Sequence, residues 1–333
     1  MSERIFVIGS NSFSGASFVD FALASGAEVF GVSRSAQPHR AFLPYLWSGD
    51  PARLKGFRFE RLDLNHDTDR LVRAVEEFRP DYVVNFAAQS MVAESWLHPE
   101  HWYQTNVVAN VRLHDRLRKL DFIKKYVHVS TPEVYGNCSG LVREDAPLNP
   151  STPYAASRAA CDLHLQTFLR QYRFPVTFTR AANVYGPGQQ LYRIIPRTVL
   201  YQKTGRRLQL HGGGRSVRSF IHIRDVSDGT LRIARQAAPG EVYHLSTPLN
   251  LSIRELVERI CLKLGVEFDR VVEVVDDRPG KDAAYLLDSA KAREQLGWRD
   301  RVSLEAGIEE TIAWVSQHLE ELKLQPLDYL HKP

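Results

Sequence analysis

Residues 153–162 read PYAASRAACD, with Tyr154 four positions before Arg158. On a helix that spacing sets the phenol and the guanidinium on one face. A cation beside a phenol favours the phenolate and lowers a tyrosine pKa from its usual ~10. Upstream, VSTPEVYG (129–136) adds a hydroxyl, Thr131, and a carboxylate, Glu133. Phenol, hydroxyl and carboxylate together could move protons on and off a bound alcohol. Each also has a plainer reading, Thr131 as a cap, Glu133 as a solvated acid and Tyr154 as a helix-surface aromatic.

A second cluster lies at the start of the chain. GSNSFSG, residues 9–15, follows the apolar run RIFVIG and precedes a helix-like segment. Such a turn lets the backbone approach a pyrophosphate at a helix N-terminus. It nominates Gly9, Asn11, Ser12, Phe13, Ser14 and Gly15 as dinucleotide contacts; a plain strand-to-helix turn is the alternative. The usual spacing has a glycine where Ser12 stands. A Cβ there restricts positive φ and crowds the pyrophosphate, so the sequence predicts a weaker grip, offset in part by a hydroxyl that can donate to phosphate. The second strand ends in VFGVSRS without the acid that would hold a ribose 2′-hydroxyl. Ser33, Arg34 and Ser35 offer donors and a cation instead, which favours NADP over NAD; Arg34 stacking on the adenine is the alternative. LDL (62–64) places Asp63 and Leu64 after the third strand, where Asp63 could accept from the adenine amino group. NFAAQS (85–90) ends the fourth strand with Ala87, Ala88 and Gln89 beside the cofactor. A nicotinamide next to Thr131, Glu133 and Tyr154 would complete a proton-and-hydride site.

These residues need elements to position them. RIFVIG, EVFGVS, FRFERLD, DYVVNF, YVHVS and VTFTR read as buried strands, separated mostly by helix-like segments near 14–25, 67–79, 99–119 and 153–173. That alternation predicts an α/β fold, a doubly wound parallel sheet with helices on both faces. The aromatic-rich connection 36–56 reads as a packed loop or extra helix. Past residue 184 the rhythm breaks at VYGPGQQ and HGGGRS. A capping box between Ser252 and Glu255 starts one helix, and Ile308, Ile312, Val315 and Leu319 mark another after Ser303. We expect residues 1–186 and 224–246 to form a dinucleotide-binding domain, and 187–223 with 247–333 a smaller mixed α/β domain.

The 333 residues suffice for two joined units with a sizeable core. A formal net charge of +4 comes with only small basic clusters, TGRR and GRSVR, which argues against nucleic-acid binding. Three scattered cysteines suggest a reducing cytoplasm rather than a disulfide framework. No signal peptide or apolar run of membrane-spanning length is evident. His98 and His101 are three apart; without further matched ligands they read as polar residues at a helix start, and no metal is expected.

Over nearly its whole length the chain resembles the extended short-chain dehydrogenases/reductases, and among them the nucleotide-sugar 4,6-dehydratases. The resemblance rests on NFAAQSMVAES, TNVVAN, VSTPEVYG, TPYAASRAACD, RAANVYGPGQ, RSFIHIRDV and DRPGKDAAYLLDSAKAREQLGW. The last is similar to dTDP-glucose 4,6-dehydratases; AAQS and the acid-free VFGVSRS are more like the NADP-using GDP-mannose 4,6-dehydratases. The resemblance implies a Rossmann-type fold and a homodimer built on the 99–119 and 153–173 helices. It implies that Tyr154 deprotonates the sugar 4-hydroxyl as hydride leaves C4, that Thr131 bonds the 4-oxygen, and that Glu133 takes the C5 proton. Water would leave from C6, and hydride would return to C6 and a proton to C5 to give a 4-keto-6-deoxy sugar. Tyr154 and Arg158 would also touch the cofactor. Asn106 would support the active-site helix, while Ser90, Asn183, Arg193, Arg218 and Arg278 would hold the nucleoside diphosphate sugar.

Three positions depart from that pattern. Ser12 stands in the glycine turn. Pro132 replaces the aspartate with which dTDP-glucose dehydratases protonate the leaving hydroxyl, and it cannot donate a proton. Arg158 replaces a lysine; it keeps the charge but is planar and never neutral. They leave two other readings: a nucleotide-sugar epimerase or decarboxylase of the same superfamily, or a weakened NADP- or sugar-nucleotide-binding protein.

Overall fold

The computed structural model describes residues 2–138, 140–276 and 286–333. Its strands begin with β1 (Arg4–Ile8), β2 (Glu28–Ser33), β3 (Phe57–Arg61), β4 (Tyr82–Asn85), β5 (Lys125–Val129) and the short β6 (Leu141–Val142). They continue with β7 (Val176–Ala181), β8 (Asn183–Tyr185), β9 (Leu208–His211), β10 (Val217–His222) and β11 (Val242–Leu245). The helices used below are α1 (Phe13–Ala24), α2 (Pro51–Leu54), α3 (Thr68–Phe78), α4 (Pro99–Tyr103), α5 (Asn110–Leu117), α6 (Pro153–Tyr172), α7 (Ile194–Lys203), α8 (Ile223–Gln236) and α9 (Ile253–Leu264).

Seven strands form one sheet in the order β11-β7-β5-β4-β1-β2-β3, and every pairing is parallel. This is the doubly wound Rossmann arrangement, with the strand order reversing between β1 and β4, where a crevice opens at the carboxyl ends. The period-2 alternation of each strand feeds two cores. Ile5 and Val7 of β1 face α1 and α8, while Phe6 and Ile8 face α3, α5 and α6. Both faces are covered, which is why these strands read as unbroken apolar runs. The 36–56 connection packs as two 3₁₀ turns and α2, with Leu43 and Tyr45 buried.

The remaining segments pack beside the carboxyl edge. A three-stranded sheet joins β8, β10 and β12 (Asn250–Ser252), and β9 pairs with β13 (Val272–Val275). A two-residue strand, β14 (Leu286–Leu287), pairs with β6. The capping box is formed: Ser252 Oγ accepts from Glu255 N at 3.1 Å, and the Glu255 carboxylate accepts from Ser252 N at 2.7 Å. The 304–317 helix buries Ile308, Trp314 and Val315 against α7 and α9. Among the described residues, no helix is long and apolar enough to cross a membrane.

Candidate functional site

The turn from β1 into α1 opens a cavity of about 550 Å³. Its walls include Gly9, Asn11, Ser12 and Phe13 of the turn, Ser33, Arg34 and Ser35 ending β2, and Asp63, Leu64, Ala87 and Ala88 at the next strand ends. Ser14 and Gly15 stand in the first turn of α1. Gly9 has a φ of 83°, and a Cβ on it would lie 2.7 Å from the Ala87 nitrogen. A Cβ on Gly15 would come within 2.2 Å of the Gly9 carbonyl oxygen. These two glycines carry the steric demand of the turn, and the cradle they leave fits a pyrophosphate.

The expectation for Ser12 is corrected. Its φ of −69° and ψ of 159° suit any residue, and it is the N-cap of α1. Its hydroxyl accepts from Gly15 N at 3.0 Å and donates to Gly9 O at 2.7 Å. The hydroxyl is thus spent on the turn, where a cap is worth about 1 kcal/mol, rather than on a phosphate. Asn11 ties the turn to β2 through Ser33 Oγ and Ser35 O, both at 2.9 Å.

The second cluster lies beyond β5. Thr131 caps a 3₁₀ turn, 132–135, whose first residue is Pro132, a position that needs no N–H. Glu133 is partly exposed on that turn, and Tyr154 is buried at the start of α6. The Thr131 hydroxyl is close enough to the Tyr154 phenol to draw its pKa down. Gln89, Asn106 and Ser157 brace this helix start. Asn106 exchanges hydrogen bonds with the Gln89 backbone at 2.9 and 3.0 Å and donates to Ser157 Oγ at 2.9 Å. Ser157 in turn donates to Tyr154 O at 2.7 Å. Asn106 sits in a π-helical stretch, 104–109, of the kind that often marks functional sites.

The opening expectation for the phenol is also corrected. Its pKa lies above the ordinary tyrosine value, because burial outweighs everything else and the Glu133 charge pushes the same way. Arg158, the Thr131 hydroxyl and Arg193 pull it down, but by less. Arg158 is no surface partner, being 2% exposed. Its Nη2 donates to the Val129 carbonyl and to His128 Nε2, the latter at 3.2 Å. Since arginine only donates, His128 accepts through Nε2 and is neutral; burial and the Arg158 charge hold its pKa well below the usual value. Arg158 Nη1 has no hydrogen-bond partner, which leaves a buried donor suited to a ribose hydroxyl.

Sequence reasoning missed what lies behind Arg158. Asp162 Oδ2 accepts from Arg180 Nη2 at 2.8 Å and Ser130 Oγ at 2.7 Å. Arg180 also donates to Tyr135, whose hydroxyl lies 2.7 Å from His244 Nε2. Burial pushes the Tyr135 phenol up to about 12 and the His244 ring down to about 3. Asp162, one helical turn after Arg158 on α6, and Arg180 on β7 thus form a buried ion pair.

The substrate candidates divide. Arg193, at the N-cap of α7, is close enough for its charge to act on Tyr154. Asn183 lies on β8 opposite Phe220, and Arg218 on the adjoining β10 opposite Leu251 of β12. Ser90 is exposed just beyond Gln89. Arg278 lies outside the described residues. His98 does begin α4, as its polarity suggested, but with Glu100 and His101 it forms a group whose ligand atoms lie within 4.8 Å of one another. His331 stacks on both histidines. The segment 325–332, for which no sequence signal existed, lines the cavity opposite the glycine turn.

The chain matches the family model for GDP-mannose 4,6 dehydratase over residues 6–311. It is 32% identical over 328 residues to a probable dTDP-glucose 4,6-dehydratase of Sinorhizobium fredii, covering 93% of this chain and 92% of that one. It is 38% identical over 250 residues to a dTDP-glucose 4,6-dehydratase of Streptomyces antibioticus, covering 74% of each. The dTDP-glucose 4,6-dehydratase of Streptomyces venezuelae, solved with NAD and the ligand TYD bound, superposes with a TM-score of 0.87 at 33% identity, covering 96% of this chain and 98% of that one. That relative holds NAD and lends no support to the preference for NADP read at the end of β2.

Proposed function

The chain belongs to the nucleotide-sugar 4,6-dehydratases of the extended short-chain dehydrogenase/reductase family, and on that footing we propose how its residues divide the work. It is an NAD(P)-dependent nucleotide-sugar 4,6-dehydratase. When bound, the dinucleotide takes hydride from C4 of the hexose and returns it to C6. Tyr154 takes the proton of the 4-hydroxyl, and Thr131 orients the 4-oxygen by the hydroxyl that stands beside the phenol. The C4 ketone acidifies C5, and Glu133 removes that proton. With Pro132 unable to act as an acid, Glu133 passes the proton to the departing C6 hydroxyl; as hydride returns to C6, C5 regains a proton from solvent, and Tyr154 gives up its own to solvent. Arg158 stabilises the phenolate and offers Nη1 to the nicotinamide ribose.

The observation that carries this reading is the convergence of Thr131, Glu133 and the Tyr154 phenol at the end of β5, on the same carboxyl edge of the parallel sheet as the glycine turn that ends β1. Residues 1–186 and 224–246 bind the cofactor in this reading. Residues 187–223 and 247–333 hold the sugar nucleotide, with Asn183, Arg193, Arg218 and Arg278 on the diphosphate and sugar and Ser90 at the sugar. NADP is the preferred cofactor, since Ser33, Arg34 and Ser35 present no acid to its 2′-phosphate. A homodimer is favoured by exposed Trp96, Leu97, Leu163 and Tyr172 on or beside the α4 and α6 segments. A cytoplasmic setting suits three free cysteines.

The test is a panel of GDP-, dTDP-, UDP- and CDP-hexoses followed by mass spectrometry. Loss of water from one of them is expected. Unchanged mass with altered stereochemistry, or loss of CO₂ from a uronate, would move the enzyme to another reaction. Glu133→Gln is expected to abolish water loss while still permitting C4 oxidation; full dehydration by that variant would remove Glu133 from its role.

A further inference from the structure

Arg34 is engaged by the far end of the chain. Its Nη1 donates to the carbonyl oxygens of Lys332 at 3.1 Å and Pro333 at 2.9 Å. The Lys332 oxygen also accepts from Gln89 Nε2 at 2.5 Å, so both sides of the cleft grip the same peptide. Residues just before it are anchored independently. Arg197 pairs with Asp328 at 2.6 Å, Tyr329 packs edge-on against Tyr192, and the His331 ring stacks on Trp102 at 5.1 Å. With its backbone fixed in this way, Lys332 reaches its ammonium to 3.3 Å from Ser35 Oγ.

Two cations, Arg34 and Lys332, therefore stand at the end of β2, and the Ser35 hydroxyl lies within reach of the ammonium. The cavity's carboxylates are committed elsewhere: Asp63 accepts from Asn65 N at 2.8 Å, and Asp328 is paired with Arg197. A pair of basic side chains beside a serine hydroxyl suits a phosphate dianion, which needs several donors and gains from each added positive charge. Gln325, Pro326, Asp328 to Leu330 and Lys332 line the cavity along with the glycine turn, and about 550 Å³ remains open. The segment thus builds a wall of the cleft rather than filling it.

We propose that Lys332 is a specificity-determining residue, which together with Arg34 and Ser35 forms the site for the ribose 2′-phosphate of NADP. This rests on the reading of the cleft as the dinucleotide site and adds a part of the chain far from the nucleotide-binding motifs. The 2′-phosphate sits between the guanidinium and the ammonium, and the 325–333 segment serves to deliver the second charge.

Calorimetric titration of NAD and NADP into the full chain, Lys332→Ala and a variant lacking residues 329–333 tests it. The shortened variant keeps the Arg197 contacts to Leu327 and Asp328. The full chain is expected to bind NADP more tightly than NAD. Lys332→Ala should weaken NADP about tenfold and leave NAD within twofold, as expected for a lost charged contact to phosphate. The deletion should do at least as much to NADP. Equal losses for both dinucleotides would reduce the segment to a wall and overturn the proposal. Tighter NADP binding on deletion would make the segment a competitor of the phosphate and overturn it as well. If the full chain bound neither dinucleotide, the cleft reading itself would fall, and the proposal with it.

Discussion

Arg158 and Arg34 are both cations near the carboxyl edge of the sheet, and their surroundings differ in every respect that sets energy. Arg158 projects from α6 into the interior, held by a strand carbonyl and a neutral histidine, with the Asp162–Arg180 pair behind it. Arg34 stands at the partly exposed rim and is held by the carbonyls of the 332–333 peptide. A charge removed from water must be compensated by fixed neighbours, so the interior of the sheet has to be built around Arg158. A rim charge keeps its hydration and needs no such support. The first region should therefore govern stability and catalysis, and the second only the choice of ligand.

The largest effect should appear in the pH dependence of stability. His114 and His128 near Arg158, together with His222 and His244, are buried, and their pKa values are depressed chiefly by burial, those of His222 and His244 to about 3. In the unfolded chain each ring takes a proton near pH 6.5. Between these limits the unfolded state binds more protons, so stability is full above about pH 6.5 and falls as the pH drops below it. The loss approaches ~1.4 kcal/mol per pH unit for each such ring. Urea midpoints at pH 7.5 and 5.5 should differ clearly. Equal midpoints would mean that these rings are protonated in the folded chain, and the contrast between interior and rim would collapse.

Alanine at each arginine is the next, more local test. Arg158→Ala removes the donor to Val129 O and His128 and the cation that pulls the Tyr154 pKa down. We expect kcat to fall on the order of 10²-fold and the acid limb of its pH profile to move upward. Arg158→Lys, which restores the charge, should recover much of the loss. Glu133→Gln should move the acid limb of C4 oxidation the other way, since the Glu133 charge raises the same phenol. Arg34→Ala should leave stability within about 0.5 kcal/mol and kcat unchanged, while weakening NADP. Wild-type turnover by Arg158→Ala would sink its catalytic assignment.

The same contrast explains what could be read from the sequence. Strands, helices and the glycine turn follow from patterns a few residues long, and Tyr154 and Arg158 meet within one helical turn. The sign of the Tyr154 shift was not legible, because it depends on burial and on Glu133, which the fold supplies. His128 interrupts an apolar strand without revealing that it accepts from Arg158. Lys332 lies 297 positions from Ser35, and nothing local in a solvated tail announces that contact. The sequence misleads at Ser12 because the positions of a glycine turn do not carry equal steric demands. The backbone requires positive φ at Gly9 and close approach at Gly15, but neither at Ser12.

Ser12 also gives the smallest predicted effect. Ser12→Ala removes the hydroxyl that joins Gly15 N to Gly9 O and should cost about 1 kcal/mol of stability, whereas Ser12→Gly should cost only a few tenths. Neither should tighten the dinucleotide, because the position already has an extended backbone that a side chain accommodates. Thermal unfolding and calorimetric titration of both variants measure the two quantities separately. A tenfold gain in dinucleotide affinity for Ser12→Gly would show that the Cβ crowds the pyrophosphate after all. The rim and floor of the cleft would then share the control of cofactor binding, and the division drawn between Arg158 and Arg34 would have to include the turn.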